Sequence, residues 1–288
     1  MSLIFAQLVW GAIVPAVIAA AVLAAAALFL RGRGERGAWV GSIAVGAGFL
    51  AAQAGFQGLP PFPAVQATQW VFWVVAVTCL VGVLWPTTTW LRWTTRVVLV
   101  GLALSLGLRS LVAHQWTAGQ SVLWLLTLGV LTLLYWGGLS LNASALERGA
   151  WFPILLQVSG AGAALSLVLT GSAVLGVLAG AATATCGAAM VAALIWREWP
   201  FQKYLMAPFV IAVGMLSVNG KFFSDTPSGC GVLLAIGPVA AHLLVKSLAG
   251  RVSERRATWL RVAVVGVFSL AAIVLAAINQ PAPDESRY

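Results

Sequence analysis

The chain has 288 residues, of which 61% are hydrophobic and only 8% are charged, and its mean hydropathy is +0.99. A water-soluble domain of this length could not hide so much apolar surface, and the apolar runs are far longer than the roughly 10-residue alternating strands of a membrane β-barrel. The formal net charge of +9 is spread over short segments between apolar runs, which excludes a basic domain for nucleic acid and favours membrane-spanning helices.

Ten apolar segments close to the ~20-residue length of a spanning helix follow one another along the chain. Charged residues, prolines and turn-forming residues separate them. The predicted spans are residues 3–30, 37–56, 68–85, 89–109, 121–141, 150–169, 172–196, 204–222, 229–248 and 257–278. Only Thr170, Gly171 and Ser172 mark the boundary between the sixth and seventh spans, which predicts a tight helical hairpin there. The sequence thus predicts an all-α polytopic transmembrane bundle of about ten helices, forming one domain over residues 1–288.

The basic residues fall almost entirely on one side of these predicted spans. Lys and Arg of membrane proteins collect in short cytoplasmic loops. With the N-terminus outside, the outer basic residues are Arg109, Lys221 and Arg287, and the cytoplasmic ones are Arg31, Arg33, Arg36, Arg92, Arg96, Arg148, Arg197, Lys203, Lys246, Arg251, Arg255, Arg256 and Arg261. We therefore predict that both termini are non-cytoplasmic. The Ala- and Arg-rich, Lys-poor composition is compatible with a GC-rich bacterial gene, so the expected location is the cytoplasmic (inner) membrane of a bacterium.

A tetrapeptide suggests an internal repeat. Thr89-Trp90-Leu91-Arg92 recurs as Thr258-Trp259-Leu260-Arg261, each time at the cytoplasmic start of a predicted span. Spans one to four would then correspond to spans seven to ten as parallel halves, residues 1–112 and 172–280, with a hairpin at 121–169 inserted between them. The alternative is coincidence, because Trp and Arg commonly mark the point where a helix enters the membrane.

The seven acidic residues all fall in predicted loops or tails: Glu35, Glu147, Glu198, Asp225, Glu254, Asp284 and Glu285. Proton-coupled carriers and two-carboxylate enzymes both need acids within a membrane site or pocket, so these classes lose support. We expect no cofactor and no metal, because the two histidines lie at different predicted depths and the three cysteines form no C-x-x-C pair.

Three groups of residues are candidate sites. Gly237 and Pro238 interrupt the ninth span and predict a kink, with His242 one turn further along; this is either a solute site built on freed carbonyls or a packing kink. A polar cluster at the outer helix ends is predicted from Arg109, His114, Asn219, Lys221 and Asp225, with snorkelling to the surface as the alternative.

Gly176 and Gly180 form a G-x-x-x-G spacing in the seventh span. Small residues let helices approach closely in lipid, so this pair predicts a helix-packing interface. The contact is either within the chain or with a partner subunit or second copy.

Three functions fit this sequence. The first is a non-catalytic scaffold or accessory subunit of a membrane complex, favoured by the short loops and the lack of acids in the spans. The second is a carrier or channel for a small or lipidic solute, favoured by the repeat and the kink. The third is a membrane enzyme acting on a lipid-linked substrate through the outer polar cluster. The expected partners are the lipid bilayer and partner subunits or further copies of the chain, but no nucleic acid.

Overall fold

The computed structural model describes residues 3–30, 37–83, 88–146, 149–196 and 201–280, and these parts of the chain are helices joined by turns, without a strand. Helix α1 runs from Leu3–Leu8 through a π-helical turn at Val9–Ile13 into Val14–Leu30. The other long helices are α2 (Val40–Gln57), α3 (Ala67–Val83), α4 (Thr89–Gly107), α5 (Ala118–Ala145), α6 (Trp151–Leu169), α7 (Ala173–Ile195), α8 (Met206–Phe223), α9 (Ser228–Ser247) and α10 (Glu254–Ile278). The predicted all-α class is confirmed for these residues.

Eight helices in the described part of the chain are long and apolar enough to cross a membrane. They belong to α1, α2 and α5 to α10. Helix α3 is also apolar but has only 17 residues, and α4 carries Arg92 and Arg96 in its first half. The chain is therefore a multi-pass, all-helical membrane protein.

The predicted spans differ from the helices mainly at their ends. The fourth span was expected to reach residue 109, but α4 ends at Gly107 and a separate short helix, Arg109–His114, follows it. Helix α5 begins earlier than expected, because Thr117 and Gln120 form a capping box: the Gln120 N–H donates to the Thr117 hydroxyl, and the Thr117 N–H donates to the Gln120 side chain. The helix also continues to Ala145, past the predicted end at residue 141. A 3-10 turn at Phe201–Leu205 leads into α8.

The turn between α6 and α7 is the tight hairpin that the sequence predicts. Gly171 has φ 89°, its N–H donates to the Val168 carbonyl at 3.1 Å, and the Ser172 N–H donates to the Leu167 carbonyl at 3.0 Å. This pattern is a Schellman motif, which satisfies the last carbonyls of α6 and favours glycine at the left-handed position. Helices α6 and α7 then pack against each other along their length.

Nine helices form a closed ring of pairwise contacts in the described structure, and seven of them also pack against α8. The order around the ring is α1, α2, α3, α4, α5, α9, α10, α6, α7 and back to α1. Helix α8, with its 3-10 turn, is the most buried candidate span, and it packs against α2, α3, α4, α5, α6, α7 and α9. The α9–α10 hairpin thus packs beside both α5 and α6, which follow one another in the chain and also meet directly through the Tyr135–Ser159 hydrogen bond.

Several charged residues that the sequence analysis placed in loops or tails lie outside the described residues. The acids among them are Glu35, Glu147, Glu198, Asp284 and Glu285. The basic residues among them are Arg31, Arg33, Arg36, Arg148, Arg197 and Arg287, and Trp85 is also outside. Of the remaining acids, Asp225 lies in the loop between α8 and α9, and Glu254 is the first residue of α10.

Candidate binding cavity

A cavity of about 180 Å³ lies between α5, α6, α8 and the first half of α9. Its lining on α5 extends from Trp124 to Tyr135, which is about 16 Å at the helical rise of 1.5 Å per residue. That distance is roughly half of the ~30 Å hydrocarbon thickness of a bilayer. The cavity therefore leads from the end of the bundle where α8 joins α9 toward the middle of the helices.

Part of the cavity exists because glycines that line it have no side chain to fill the space. Gly214 on α8 and Gly231 on α9 both line it. A β-carbon added at Gly214 would touch only the Thr132 methyl group, at 3.4 Å, and one added at Gly231 would meet no atom within 4 Å. The lining is mostly leucine, valine, alanine and glycine, so the site favours an apolar part of a ligand.

Most of the cavity hydroxyls already have hydrogen-bond partners. Thr132 donates to the Leu128 carbonyl and Ser166 to the Gly162 carbonyl, each at 2.8 Å. The hydroxyls of Thr226 and Thr170 are bonded to each other at 2.8 Å, as are those of Tyr135 and Ser159. These side chains are therefore structural, and the Tyr135–Ser159 bond closes the inner end of the cavity.

Three polar groups of the cavity remain available for a ligand. They are the ammonium group of Lys221 and the hydroxyls of Ser217 and Ser228, which have no hydrogen-bond partner within the described parts of the chain. Lys221 is half-buried and forms no ion pair with a described residue. The cavity thus combines an apolar interior with one cation, an arrangement suited to an amphipathic anion.

Aromatic rings stand at the outer end of the cavity. Trp116 and Trp124 stack with centroids 6.3 Å apart, and the ring of Phe222 meets both edge-on at 5.1 and 5.2 Å. Tryptophan favours the interface between membrane and water, so this group marks the expected headgroup level beside the cavity.

Pro238 lies one turn beyond the last cavity residues of α9. Because proline has no N–H, the Leu234 carbonyl, which belongs to a cavity residue, lacks its usual helical partner. The Pro238 carbonyl itself accepts a hydrogen bond from the Asn142 amide at 2.8 Å, and the same amide donates to the Gly138 carbonyl at 2.8 Å. The predicted interruption of α9 therefore adjoins the cavity and is tied to α5, while Gly237 is buried against Phe268 of α10.

His242 does not line this cavity. It is half-buried further along α9, and its buried Nδ1 atom has no hydrogen-bond partner among the described residues. The structure therefore separates Pro238 and His242 into two surroundings, although the sequence grouped them in one site.

The predicted outer polar cluster has no hydrogen bond or ion pair among its five members, all of which are described. Arg109 and His114 are exposed on the short helix after α4, and Asp225 is exposed in the α8–α9 loop with φ 53°. Asn219 is buried in α8, with an unpaired side-chain nitrogen. Only Lys221 lines the cavity, and a joint role for all five residues stays a prediction.

The G-x-x-x-G pair faces other helices of the same chain. A β-carbon on Gly176 would lie 3.0 Å from the Ala164 carbonyl of α6, and the nearest atom to one on Gly180 would be the Gly11 carbonyl of α1, at 3.5 Å. Contact with a second protein through these glycines stays a prediction.

A second, polar cavity of about 300 Å³ lies at the end of α2 and the start of α3. It is lined by Gln53, Gln57, Gln66 and Gln69. The buried side-chain amide oxygen of Gln53 has no partner among the described residues. The sequence interpretation missed these glutamines, although their spacing, four within 17 residues, was visible. It also missed Gly231, Ser217 and Tyr135, because only their neighbours in space give them meaning.

No protein-family model matches the chain, and no curated protein matches it either.

Proposed function

We propose that this protein is a carrier for a small amphipathic or lipidic anion, and that the cavity between α5, α6, α8 and α9 is its binding site. The observation that supports it is that an apolar cavity contains the Lys221 ammonium, which has no partner among the described residues. An apolar tail gains free energy by leaving water, and an anionic head gains it from the cation. The cavity volume is below the ~300 Å³ of typical drug-sized sites, so the solute is small or inserts only part of a longer chain.

The neighbourhood of Pro238 also supports a carrier. Transporters commonly build their sites beside helices with an interrupted hydrogen-bond ladder, where free carbonyls and altered packing allow movement. Here the interruption falls one turn from cavity residue Leu234. Carrier function also agrees with the second of the three roles that the sequence favours.

The topology that we propose has ten membrane crossings and both termini outside the cytoplasm of a bacterium. Helices α3 and α4 stand between α2 and α5 in the ring, so they belong to the same layer as the helices that are long and apolar enough to span. With ten crossings the termini share a side, and the positions of Arg and Lys assign that side to the exterior. The cavity would then open toward the exterior.

A scaffold or accessory subunit is the second candidate. The loop between α2 and α3 exposes Leu59, Phe62 and Val65 to 80%, 73% and 83%. Apolar side chains gathered outside the spans are typical of a contact with another protein. The third role, an enzyme using the outer polar cluster, has no hydrogen-bonded arrangement of those residues to support it.

Three probes with the same eight-carbon tail test the binding site. Octanesulfonate, octanol and octyltrimethylammonium share a tail but differ in charge, and native mass spectrometry of the detergent-purified chain gives their affinities. We expect octanesulfonate to bind most tightly. Lys221→Met should lower its affinity about fivefold, the equivalent of about 1 kcal/mol for one partly exposed ion pair, and should leave octanol unchanged.

A pair of glycine variants separates the cavity from general effects on the bundle. Gly231→Leu places a side chain in the cavity, whereas Gly101→Leu adds the same side chain to α4, where a β-carbon also meets no atom within 4 Å. Gly231→Leu should weaken octanesulfonate binding at least about tenfold, and Gly101→Leu should not change it. Equal affinities in both variants would contradict the proposed site.

Uptake of radiolabelled octanesulfonate by liposomes tests the carrier itself, since a fixed charge makes this probe cross bare bilayers poorly. We expect uptake with the wild type and Gly101→Leu, and a loss with Gly231→Leu. Binding without uptake would contradict a carrier. A stoichiometric protein partner that co-purifies with the chain, without octanesulfonate binding, would favour the scaffold.

A further inference from the structure

The second feature of interest lies where α9 ends and α10 begins, away from the cavity. His242 and Lys246 are four residues apart on α9, so they lie on one face of the helix. Both Lys246 and Arg261 of α10 are close enough to act electrostatically on the His242 imidazole. Three basic side chains thus lie in the same region of one helical hairpin.

The register of α9 and α10 explains this arrangement. The Cys230 thiol donates to the Ala272 carbonyl at 3.4 Å, and a β-carbon on Gly237 would lie 3.0 Å from the β-carbon of Phe268. Because the helices are antiparallel, each step along α9 is matched by a step back along α10. Continued to His242, this pairing places Arg261 opposite it, and Lys246 lies one turn nearer the end of the hairpin.

Two nitrogen atoms of this group are buried without a partner in the described structure. They are Nδ1 of His242 and Nε of Arg261. A buried donor that makes no hydrogen bond is costly, so such atoms usually face a water, an ion or a ligand. The oxygens of a phosphate could accept from both, since Arg presents a planar set of donors and His Nδ1 donates when it carries the proton.

The depth of the group matches the headgroup region of a bilayer. Trp259, two residues before Arg261, meets the ring of Trp151 edge-on at 4.7 Å. Tryptophan is enriched at membrane–water interfaces, and two residues of helix correspond to about 3 Å. Arg261 is therefore near the level of lipid headgroups rather than in the hydrocarbon centre.

The surrounding charge would attract an anionic lipid. Arg251, Arg255 and Arg256 are exposed between the end of α9 and the first turn of α10, and Glu254 is the acidic residue of the described hairpin. Basic clusters near a membrane surface concentrate anionic lipids, and pockets between helices bind their headgroups.

We propose that His242, Lys246 and Arg261 form a headgroup site for an anionic phospholipid at this end of the α9–α10 hairpin. Arg261 and His242 hold the phosphate by hydrogen bonds, and the exposed Lys246 contributes a charge at its edge. This site is independent of the solute cavity, so it can be correct even if the carrier proposal is wrong.

The test compares phosphatidylglycerol with phosphatidylcholine of the same acyl chains. The delipidated full-length protein is titrated with each lipid and bound lipid is measured by native mass spectrometry. We expect the wild type to prefer phosphatidylglycerol about tenfold or more. Arg261→Gln and Lys246→Gln should each reduce phosphatidylglycerol affinity about fivefold, and His242→Gln should also weaken it.

Arg255→Gln is the matched control, because it removes the same charge from an exposed position on the same helix. A reduction below about twofold in this variant supports a defined site, whereas a reduction equal to that of Arg261→Gln shows only diffuse attraction and overturns the proposal. Lys246 is exposed, so Lys246→Gln gives a folded variant should Arg261→Gln fail to fold. Absence of a lipid preference in the wild type overturns the site, and displacement of phosphatidylglycerol by millimolar inorganic phosphate overturns its assignment to a lipid.

Discussion

Two neighbouring glycines of α5 provide a test of how closely α5 and α9 approach. A β-carbon on Gly138 would lie 2.8 Å from both the Val239 side chain and the Val239 backbone nitrogen, and 3.1 Å from the Pro238 carbonyl carbon. A β-carbon on Gly137 would meet only the Trp93 ring, at 3.5 Å. Gly138→Ala therefore forces α9 away, and Gly137→Ala does not.

The expected size of the effect follows from these distances. Carbon atoms pack at about 3.5–4.0 Å, so α9 must move by roughly 0.7 Å or more to accept the Gly138 methyl group. Overpacking of this kind costs about 1–3 kcal/mol. Both substitutions gain about 1 kcal/mol of helix propensity, which cancels when the two variants are compared with each other. Gly138→Ala should therefore be less stable than Gly137→Ala by about 1–3 kcal/mol.

The three free, buried cysteines supply the assay. A thiol-reactive fluorophore reports their exposure during heating in detergent, and a fixed heating rate makes the apparent Tm values comparable even when unfolding is irreversible. We expect the apparent Tm of Gly138→Ala to be about 5 °C below that of Gly137→Ala. Adding Val239→Ala should recover only part of the loss, because the Val239 backbone nitrogen remains. A Tm of Gly138→Ala equal to or above that of Gly137→Ala would refute the close approach of α5 and α9.

Three further predictions concern single features. Asn142→Leu removes the amide that links α5 to the Pro238 carbonyl, and it should lower stability by about 1 kcal/mol in the same thiol assay, against an unchanged Ser144→Ala control on the exposed side of α5. Arg96, which is buried, donates to Ser140 at 2.8 Å and lies 4.9 Å from the Trp93 ring centroid, so Arg96→Lys should lower the apparent Tm, whereas Arg92→Lys at the exposed position should not. Alkaline phosphatase fused after residue 288 should be active in intact bacteria if the C-terminus is outside. If a fluorescent protein that fluoresces only in the cytosol is fused there instead, its fluorescence would contradict the proposed orientation.

The helices were largely predictable because each membrane-spanning helix is a continuous segment of the sequence with a recognisable pattern of hydropathy. A span needs a continuous apolar run, and its ends need charges, caps or turn residues, so even the brief Thr170-Gly171-Ser172 interruption located the α6–α7 turn. The predicted helix ends were wrong where local hydrogen bonds determine the end, as at the Thr117 capping box that starts α5 earlier.

The cavity was not predictable, because the sequence pattern of apolar residues is the same whether their side chains face lipid, other helices or a cavity. Gly231 lines the cavity and Gly101 does not, yet both are single glycines in apolar runs. Lys221 was among the sequence candidates and lines the cavity, but the sequence grouped it with Arg109 and His114 rather than with residues of α5, α6 and α9. Those neighbours come from distant parts of the chain, and a hydropathy profile does not show which distant helices pack together.

The ring order also constrains biosynthesis. Helices α5 and α6 emerge from the ribosome before α9, which later packs against α5, and α10, which later packs against α6. Until synthesis is nearly complete, the flanks of α5 and α6 that will receive this hairpin must be covered by lipid or by an insertion factor. A chain truncated after α8 would therefore leave the close-packing glycines Gly138 and Gly162 without Val239 of α9 and Ser269 of α10, the residues that they contact in the complete bundle.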